Sequence, residues 1–421
     1  MKRRDFLGAA ALASTVGCAS LAPSGPARAH VVVVGGGFGG ATAAKYIRLW
    51  SEGRVDVTLV EPDASFISCP LSNLVLGGSR QLADLALSYD GLAARGVRIV
   101  RDRVDAIAAA RRRVTLAGGQ VLAYDRLVLS PGVDFMWDQL PGMQRAGAQE
   151  SVLHAWKAGA QTLALRAQLA AMADGGVFVM TIPPSPYRCP PGPYERACQV
   201  AHYFSRTKPR SKVLILDANE DVVSKGALFK RVWADRYPGM VEYRPSFRTM
   251  DVDAPTHTVI SEFGDRVQAS VLNVIPPQRA GAIAVKSGLA NANGRWCAVD
   301  FRTFESTAQP GIHVLGDAIQ VAPLMPKSGH MANQHAKVCA AAVVDLLAGV
   351  APNQQPMLTN TCYSFVSDKD VIHVASVHTW DADKKTLLVV PGSGGLSAGP
   401  SELEGVYANS WARNIWADML A

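Results

Sequence analysis

The apolar positions of this chain fall into two repeating β-helix-β patterns, followed by a stretch of a different kind. Val31–Val34 is an unbroken β-branched run, the mark of a strand buried on both faces of a parallel sheet. A glycine-rich turn, Gly35–Gly40, leads into Ala41–Ile47, which reads as a helix, and Val55–Val60 is the next strand, ending at Glu61. Tyr124–Gly132 reads as a strand running into a turn, and the Ala/Leu-rich stretch from Trp156 to Met172 as a helix. A second unit opens at Val177–Ile182 and has Val213–Asp217 as its second strand. Val271–Ile275 and Gly311–Asp317 are further strands, and Ser328–Leu347 is a long helix. Residues 351–421 alternate short strands with Gly/Ser/Pro turns and close on a short helix carrying Trp411 and Trp416.

The turn after the first strand carries chemistry. Gly35, Gly37 and Gly40 form G-x-G-x-x-G between a strand and a helix. The first glycine permits the tight turn, the second the approach of a pyrophosphate, the third close packing of helix on strand. The helix N-terminus then offers free N–H groups to the phosphates. Glu61 ends the following strand, where a carboxylate accepts ribose hydroxyls. The corresponding turn of the second unit is different. Pro183, Pro184, Pro186, Pro190, Pro191 and Pro193 crowd it, and no glycine occurs before Gly192. Proline has no N–H to give a phosphate, so a nicotinamide dinucleotide is not expected there, and the turn holds Cys189 instead.

Composition narrows the setting. The formal charge of +7 includes four cations and one anion before His30, leaving about +4 for the rest, too mild for a nucleic-acid surface. Lys2-Arg3-Arg4-Asp5-Phe6-Leu7, an Ala-rich apolar run and Ala27-Arg28-Ala29 have the order of a twin-arginine export signal over residues 1–29, which predicts a periplasmic protein. After it no apolar run is long enough for a transmembrane segment. Beyond Cys18, six cysteines remain: Cys69, Cys189, Cys198, Cys297, Cys339 and Cys362. None forms a C-x-x-C pair, so neither a c-type haem nor a zinc-knuckle spacing is present, and no metal site is expected.

Two resemblances join these readings. Gly316-Asp317 after a strand, and the Tyr124–Gly132 segment, resemble the FAD motifs of the glutathione-reductase-like flavoproteins, in which that Asp holds the ribityl chain. Further, Cys189-Pro190-Pro191-Gly192-Pro193-Tyr194-Glu195-Arg196 resembles the C-P-P-G-P-Y-E-R segment of flavocytochrome c sulfide dehydrogenase flavoprotein subunits. Asn360-Thr361-Cys362-Tyr363-Ser364, Ile275–Gly281, Met325–Gly329 and Ser410-Trp411 match that family as well.

The resemblance implies an α/β fold of two Rossmann-like dinucleotide-binding domains plus a C-terminal α+β interface domain. Its parts are an FAD-binding domain in two pieces, 30–150 and 271–350, a second Rossmann-like domain over 151–270, and the interface domain over 351–421. It implies a redox disulfide between Cys189 and Cys362, FAD bound covalently through Cys69, and Trp411 stacked near the flavin. Where some members have Tyr after the attachment cysteine, this chain has Pro70. Glu195 is the candidate proton acceptor, and Lys327 is expected to face the flavin pyrimidine edge. Cys198, Cys297 and Cys339 are expected as small buried hydrophobes. The implied activity is oxidation of sulfide, with electrons passed to a separate c-type cytochrome subunit in a heterodimer. A sulfide:quinone oxidoreductase, and an accessory flavoprotein of a sulfur-oxidation complex, are the competing expectations.

Overall fold

The computed structural model describes residues 28–421, so all of the export-signal reading except Arg28 and Ala29 lies outside the described residues. The first sheet has a parallel core of five strands in the order Ile312–Val314, Arg126–Leu129, His30–Val34, Asp56–Val60, Val97–Val100. Val31, Val32 and Val33 are fully buried at its centre, as an unbroken apolar run requires. The helix Phe38–Trp50 packs against the long helix Gly329–Leu347. Chain segments some 280 residues apart in sequence thus build one domain, the later one returning after the second domain is complete.

The second sheet is parallel throughout, ordered Val241–Arg244, Lys212–Asp217, Val177–Ile182, Val271–Val274. This corrects one expected boundary: Val271–Val274 is the edge strand of the second domain, paired to Val177–Ile182, rather than the start of the returning FAD-binding segment. The helix expected from Trp156 begins at Ala160. His154 Nδ1 accepts the Trp156 amide, and Gln161 Oε1 accepts the amides of His154 and Ala155, which stabilises a turn in place of the first helical turn.

The third unit is antiparallel, with Met357–Phe365, Val371–Asp381 and Thr386–Val389 in order. The terminal helix is not short, as expected, but spans nineteen residues, Glu402–Leu420. Ser401 Oγ caps it by accepting the Glu404 amide at 3.1 Å. Its far end docks on the first domain: Lys45 Nζ donates to the Ala417 carbonyl, and Trp416 Nε1 to Ser68 Oγ. Among the described residues no helix is long and apolar enough to cross a membrane.

Candidate active site

A cavity of about 650 Å³ runs from the glycine turn of the first domain to the meeting point of all three units. At one end Gly35 takes φ +93°, and a Cβ on Gly40 would sit 1.8 Å from the Gly35 carbonyl oxygen, so these positions exclude any side chain. Beside Gly37 there is open space. Glu61 Oε2 accepts the Gly36 amide at 2.6 Å, which fixes the carboxylate at the cavity wall.

Farther along, Asp317 lines the cavity, and its Oδ1 is buried without a hydrogen-bond partner. An orphaned buried acceptor is costly unless a ligand donates to it. Burial raises the Asp317 pKa, against the pull of Arg188 and Lys327. Open space at the glycine turn, an anchored acid and this orphaned acceptor fit an extended dinucleotide with hydroxyl groups. FAD is such a molecule, and Gly35, Gly37, Gly40, Glu61, Gly316 and Asp317 are the residues that would hold it.

At the other end the cavity brings together three of the cysteines. Cys69 precedes the short helix Ser72–Gly77, and its Sγ lies 3.5 Å from both the Ala158 amide and Arg188 Nη2. Cys189 sits in the proline turn with a left-handed backbone, φ +57°, an uncommon conformation for a side chain of this kind. Its amide donates to the Lys327 carbonyl at 2.8 Å, and its own carbonyl accepts the Gly192 amide at 2.8 Å. Cys362 lies on the strand Met357–Phe365, with Sγ 3.6 Å from the Asn360 side-chain amide. All three are free, half-buried thiols lining the one cavity. Burial pushes the Cys189 thiol well up, and negative charge on Glu195 and Cys362 pushes the same way. Burial raises Cys362 too, while Lys225 and the Asn360 hydrogen bond pull it down.

Glu195 stands in the first turn of the helix Gly192–Thr207 and is 8% exposed. Its Oε1 accepts the Phe365 amide and its Oε2 the Asn73 Nδ2, both at 2.9 Å. Burial raises its pKa, and these two donors oppose the rise. The result is a buried carboxylate beside two thiols, able to take up a proton.

Trp411 borders the cavity, its ring 5.8 Å from His330 and 6.2 Å from Tyr363. Lys327 departs from expectation. Its ammonium is turned away from the cavity, donating to the carbonyls of Asp317 and Ile319 at 2.9 and 2.6 Å and lying 3.5 Å above the Trp296 ring. Three per cent exposed, it has its pKa pushed down to about 7 by burial. Its contribution to the cavity is its main-chain carbonyl, which holds Cys189. Cys198, Cys297 and Cys339 are completely buried away from the cavity.

Four residues escaped the sequence reading. Asn73 and Arg188 border the cavity but stand in no motif that names their roles, and Lys225 approaches Cys362 from a loop. Asp217 ends the second strand of the second unit, where a nucleotide-binding domain keeps its ribose acid. Here it is 0% exposed, and four donors already fill it: Tyr194 and Tyr243 hydroxyls at 2.7 and 3.0 Å, the Asn219 amide at 2.9 Å and Asn219 Nδ2 at 2.7 Å. Its equivalence to Glu61 was visible in the strand pattern; its capture by Tyr194 and Tyr243 was not.

The fold and this cavity define a flavin-binding oxidoreductase of the pyridine nucleotide-disulphide oxidoreductase type, whose description matches residues 29–171. Residues 162–276 match the central domain of the sulfide dehydrogenase [flavocytochrome c] flavoprotein chain, and residues 354–420 the flavocytochrome c sulphide dehydrogenase flavin-binding domain. The flavoprotein chain of that enzyme from Chlorobaculum thiosulfatiphilum is 60% identical over 46 residues, which are 11% of this chain and 94% of the relative's recorded sequence. The chain belongs to the flavocytochrome c sulfide dehydrogenase flavoprotein family, among the sulfide-oxidising flavoproteins. The mitochondrial sulfide:quinone oxidoreductase of Dictyostelium discoideum is 23% identical over 301 residues, 68% of this chain and 64% of that protein's length. The match thus spans less than two thirds of that relative. The solved sulfide:quinone oxidoreductase of Aquifex aeolicus shares the fold, with a TM-score of 0.74 at 18% identity, covering 93% of this chain and 92% of the other.

Proposed function

We propose that this protein oxidises sulfide to sulfur or polysulfide with Cys189 and Cys362 as a redox disulfide, and that its electrons pass to a separate c-type cytochrome subunit in the periplasm. One observation carries the reading: two cysteines and a buried carboxylate, brought together from the 189–195 segment and from the distant strand that carries Cys362, border the same cavity as the dinucleotide cradle. Hydrosulfide attacks one sulfur of the disulfide. A new S–S bond forms to that cysteine, the Cys189–Cys362 bond breaks, and the other sulfur leaves as a thiolate. The proton of the attached S–H group goes to Glu195, whose two hydrogen-bond donors face its oxygens and leave it a proton acceptor. FAD, bound along the cradle and attached through Cys69, supplies the acceptor for the two electrons that sulfide gives up. Trp411, from the terminal helix, lines the cavity beside the site the flavin would occupy.

The acceptor admits a second reading, reduction of a quinone at a membrane surface. The terminal helix favours it by exposing Leu403, Val406 and Tyr407 at 59%, 61% and 50%, spaced to share one face. Steady-state assays with sulfide and either a c-type cytochrome or a short-chain quinone separate the two. Turnover with the cytochrome alone supports the first reading; turnover with quinone alone, together with binding to liposomes, replaces it with the second. Absence of any sulfide turnover refutes both and leaves an accessory role.

A further inference from the structure

The loop between the strand Lys212–Asp217 and the helix Gly226–Arg236 sends one side chain beneath the strand that carries Cys362. Lys225 has a left-handed backbone, φ +58°, and is 5% exposed. Its Nζ donates to the Cys362 carbonyl at 2.9 Å and to Ser364 Oγ at 2.7 Å, and lies 3.5 Å from the Ile372 carbonyl. All three partners are neutral, and among the described residues no carboxylate lies within ion-pair distance of it. A buried ammonium with only neutral partners is expensive, and the backbone conformation adds strain. Neither cost is explained by packing, since a buried apolar residue would avoid the first.

What the ammonium does face is a set of atoms whose charge changes during the proposed reaction. The sulfur of Cys362 raises its pKa most, followed by Glu195 and then Cys189, with Glu404 contributing from the terminal helix. The other titratable groups packed around Cys362 do not replace it. His330 Nδ1 receives the Thr361 amide, and His373 is engaged by Glu404 at 2.9 Å. Arg188 sits with Cys69 across the cavity. Lys225 is therefore the cation assigned to the Cys362 side of the sulfur pair.

We propose that Lys225 is a positioning residue that favours the anionic form of the Cys362 sulfur when the disulfide opens, and pins main chain 362–364 beneath it. The inference rests on the cysteine chemistry proposed above. A thiolate and a persulfide anion at Cys362 gain alike from a fixed positive charge in a poorly solvated place. Burial pushes Lys225 down to about 8, and negative charge on Cys362 is the first of the influences that raise it again, just as Lys225 is the first that lowers Cys362, so each charge supports the other.

The test reads a thiol rather than turnover. In the flavin-loaded Cys189→Ser protein, iodoacetamide labelling of Cys362 is followed by peptide mass spectrometry across pH, with and without Lys225→Gln. Glutamine keeps a donor for Ser364 and removes only the charge. The labelling midpoint should rise by about one pH unit on losing the cation, and Lys225→Arg should restore it. An unchanged midpoint in Lys225→Gln overturns the inference, as does a midpoint that rises equally in Lys225→Arg. If the glutamine protein does not fold, Lys225→Met takes its place under the same criteria. Sulfide bleaching of the flavin in the otherwise unaltered protein is measured separately. Its failure would strike the proposed function, whereas an unmoved labelling midpoint strikes Lys225 alone.

Discussion

The side-chain amide of Asn73 donates to Glu195 Oε2 across 2.9 Å, and its orientation is dictated from behind. Arg196 Nε, which can only donate, takes the Asn73 oxygen at 3.1 Å and so turns the NH₂ group toward Glu195. Burial already raises the Glu195 pKa, and Asn73 opposes it together with the Phe365 amide, Lys225 and Arg196. Asn73→Ala removes its part of that opposition and drives the pKa further up. The basic form of Glu195 then becomes scarcer at neutral pH. Sulfide-dependent flavin reduction should slow by roughly tenfold at pH 7 and recover toward alkaline pH. Its acid limb should move to higher pH, measurable by stopped flow across a buffer series. An acid limb at the same pH as in the unaltered protein would remove Glu195 from the proton path.

Cys189 and Cys362 face one cavity from different domains, and each is half-buried. Serine, slightly smaller than cysteine, fits either position without a clash. Cys189→Ser and Cys362→Ser should therefore keep the fold and the flavin spectrum while losing flavin reduction by sulfide by more than about a hundredfold. Dithionite should still bleach both proteins. Reduction by sulfide at an undiminished rate in either variant contradicts the disulfide route.

Cys69 lines the same cavity, with an amide and a guanidinium 3.5 Å from its sulfur. Denatured protein should retain yellow fluorescence on a gel, and Cys69→Ser should release its flavin to the supernatant on denaturation. Flavin that washes out of the unaltered protein shows that the attachment is absent.

The second domain should ignore nicotinamide nucleotides. Its turn is rich in proline, and Asp217 already accepts four hydrogen bonds in the interior. Under anaerobic conditions NADH should leave the flavin colour unchanged for minutes. Asp217→Ala should destabilise the protein by about 3 kcal/mol, because it strands two phenols and an amide, and should appear as a lowered melting temperature. NADH bleaching within milliseconds would mean that the turn opens after all.

Much of the first domain was legible because its signals are local. The buried run Val31–Val34, the three glycines and Glu61 lie within a few turns of chain and need no partner to be recognised. The edge strand Val271–Val274 reads in sequence as the start of the returning segment, but sheet membership depends on pairing with Val177–Ile182, nearly a hundred residues earlier. The length of the terminal helix was in the sequence after all: Ser401 with Glu404 three residues on is a helix-start signature, obscured by Gly405, Asn409 and Ser410 within the helix. At the site, motif resemblance located Cys69, Cys189, Glu195 and Cys362. It could not tell which way Lys327 turns, because Trp296 and two carbonyls that capture its ammonium come from elsewhere in the chain. Asn73 and Lys225 make contacts with the site that only the folded chain creates.

The inward-facing Asp217 carries a lesson for redesign. A carboxylate placed where a nucleotide-binding domain reads a ribose serves here as a keystone, with Tyr194 from the helix that follows the Cys189 loop and Tyr243 from the next strand both donating to its Oδ2. Restoring a nucleotide to this frame by replacing prolines with glycines in the turn is therefore not enough. The two tyrosines must also be retracted, and Tyr194 is the immediate neighbour of Glu195. Any attempt to convert this protein to a nicotinamide-fed enzyme would loosen Glu195, the proton acceptor of the proposed sulfur chemistry, so the two electron sources would compete for one piece of architecture.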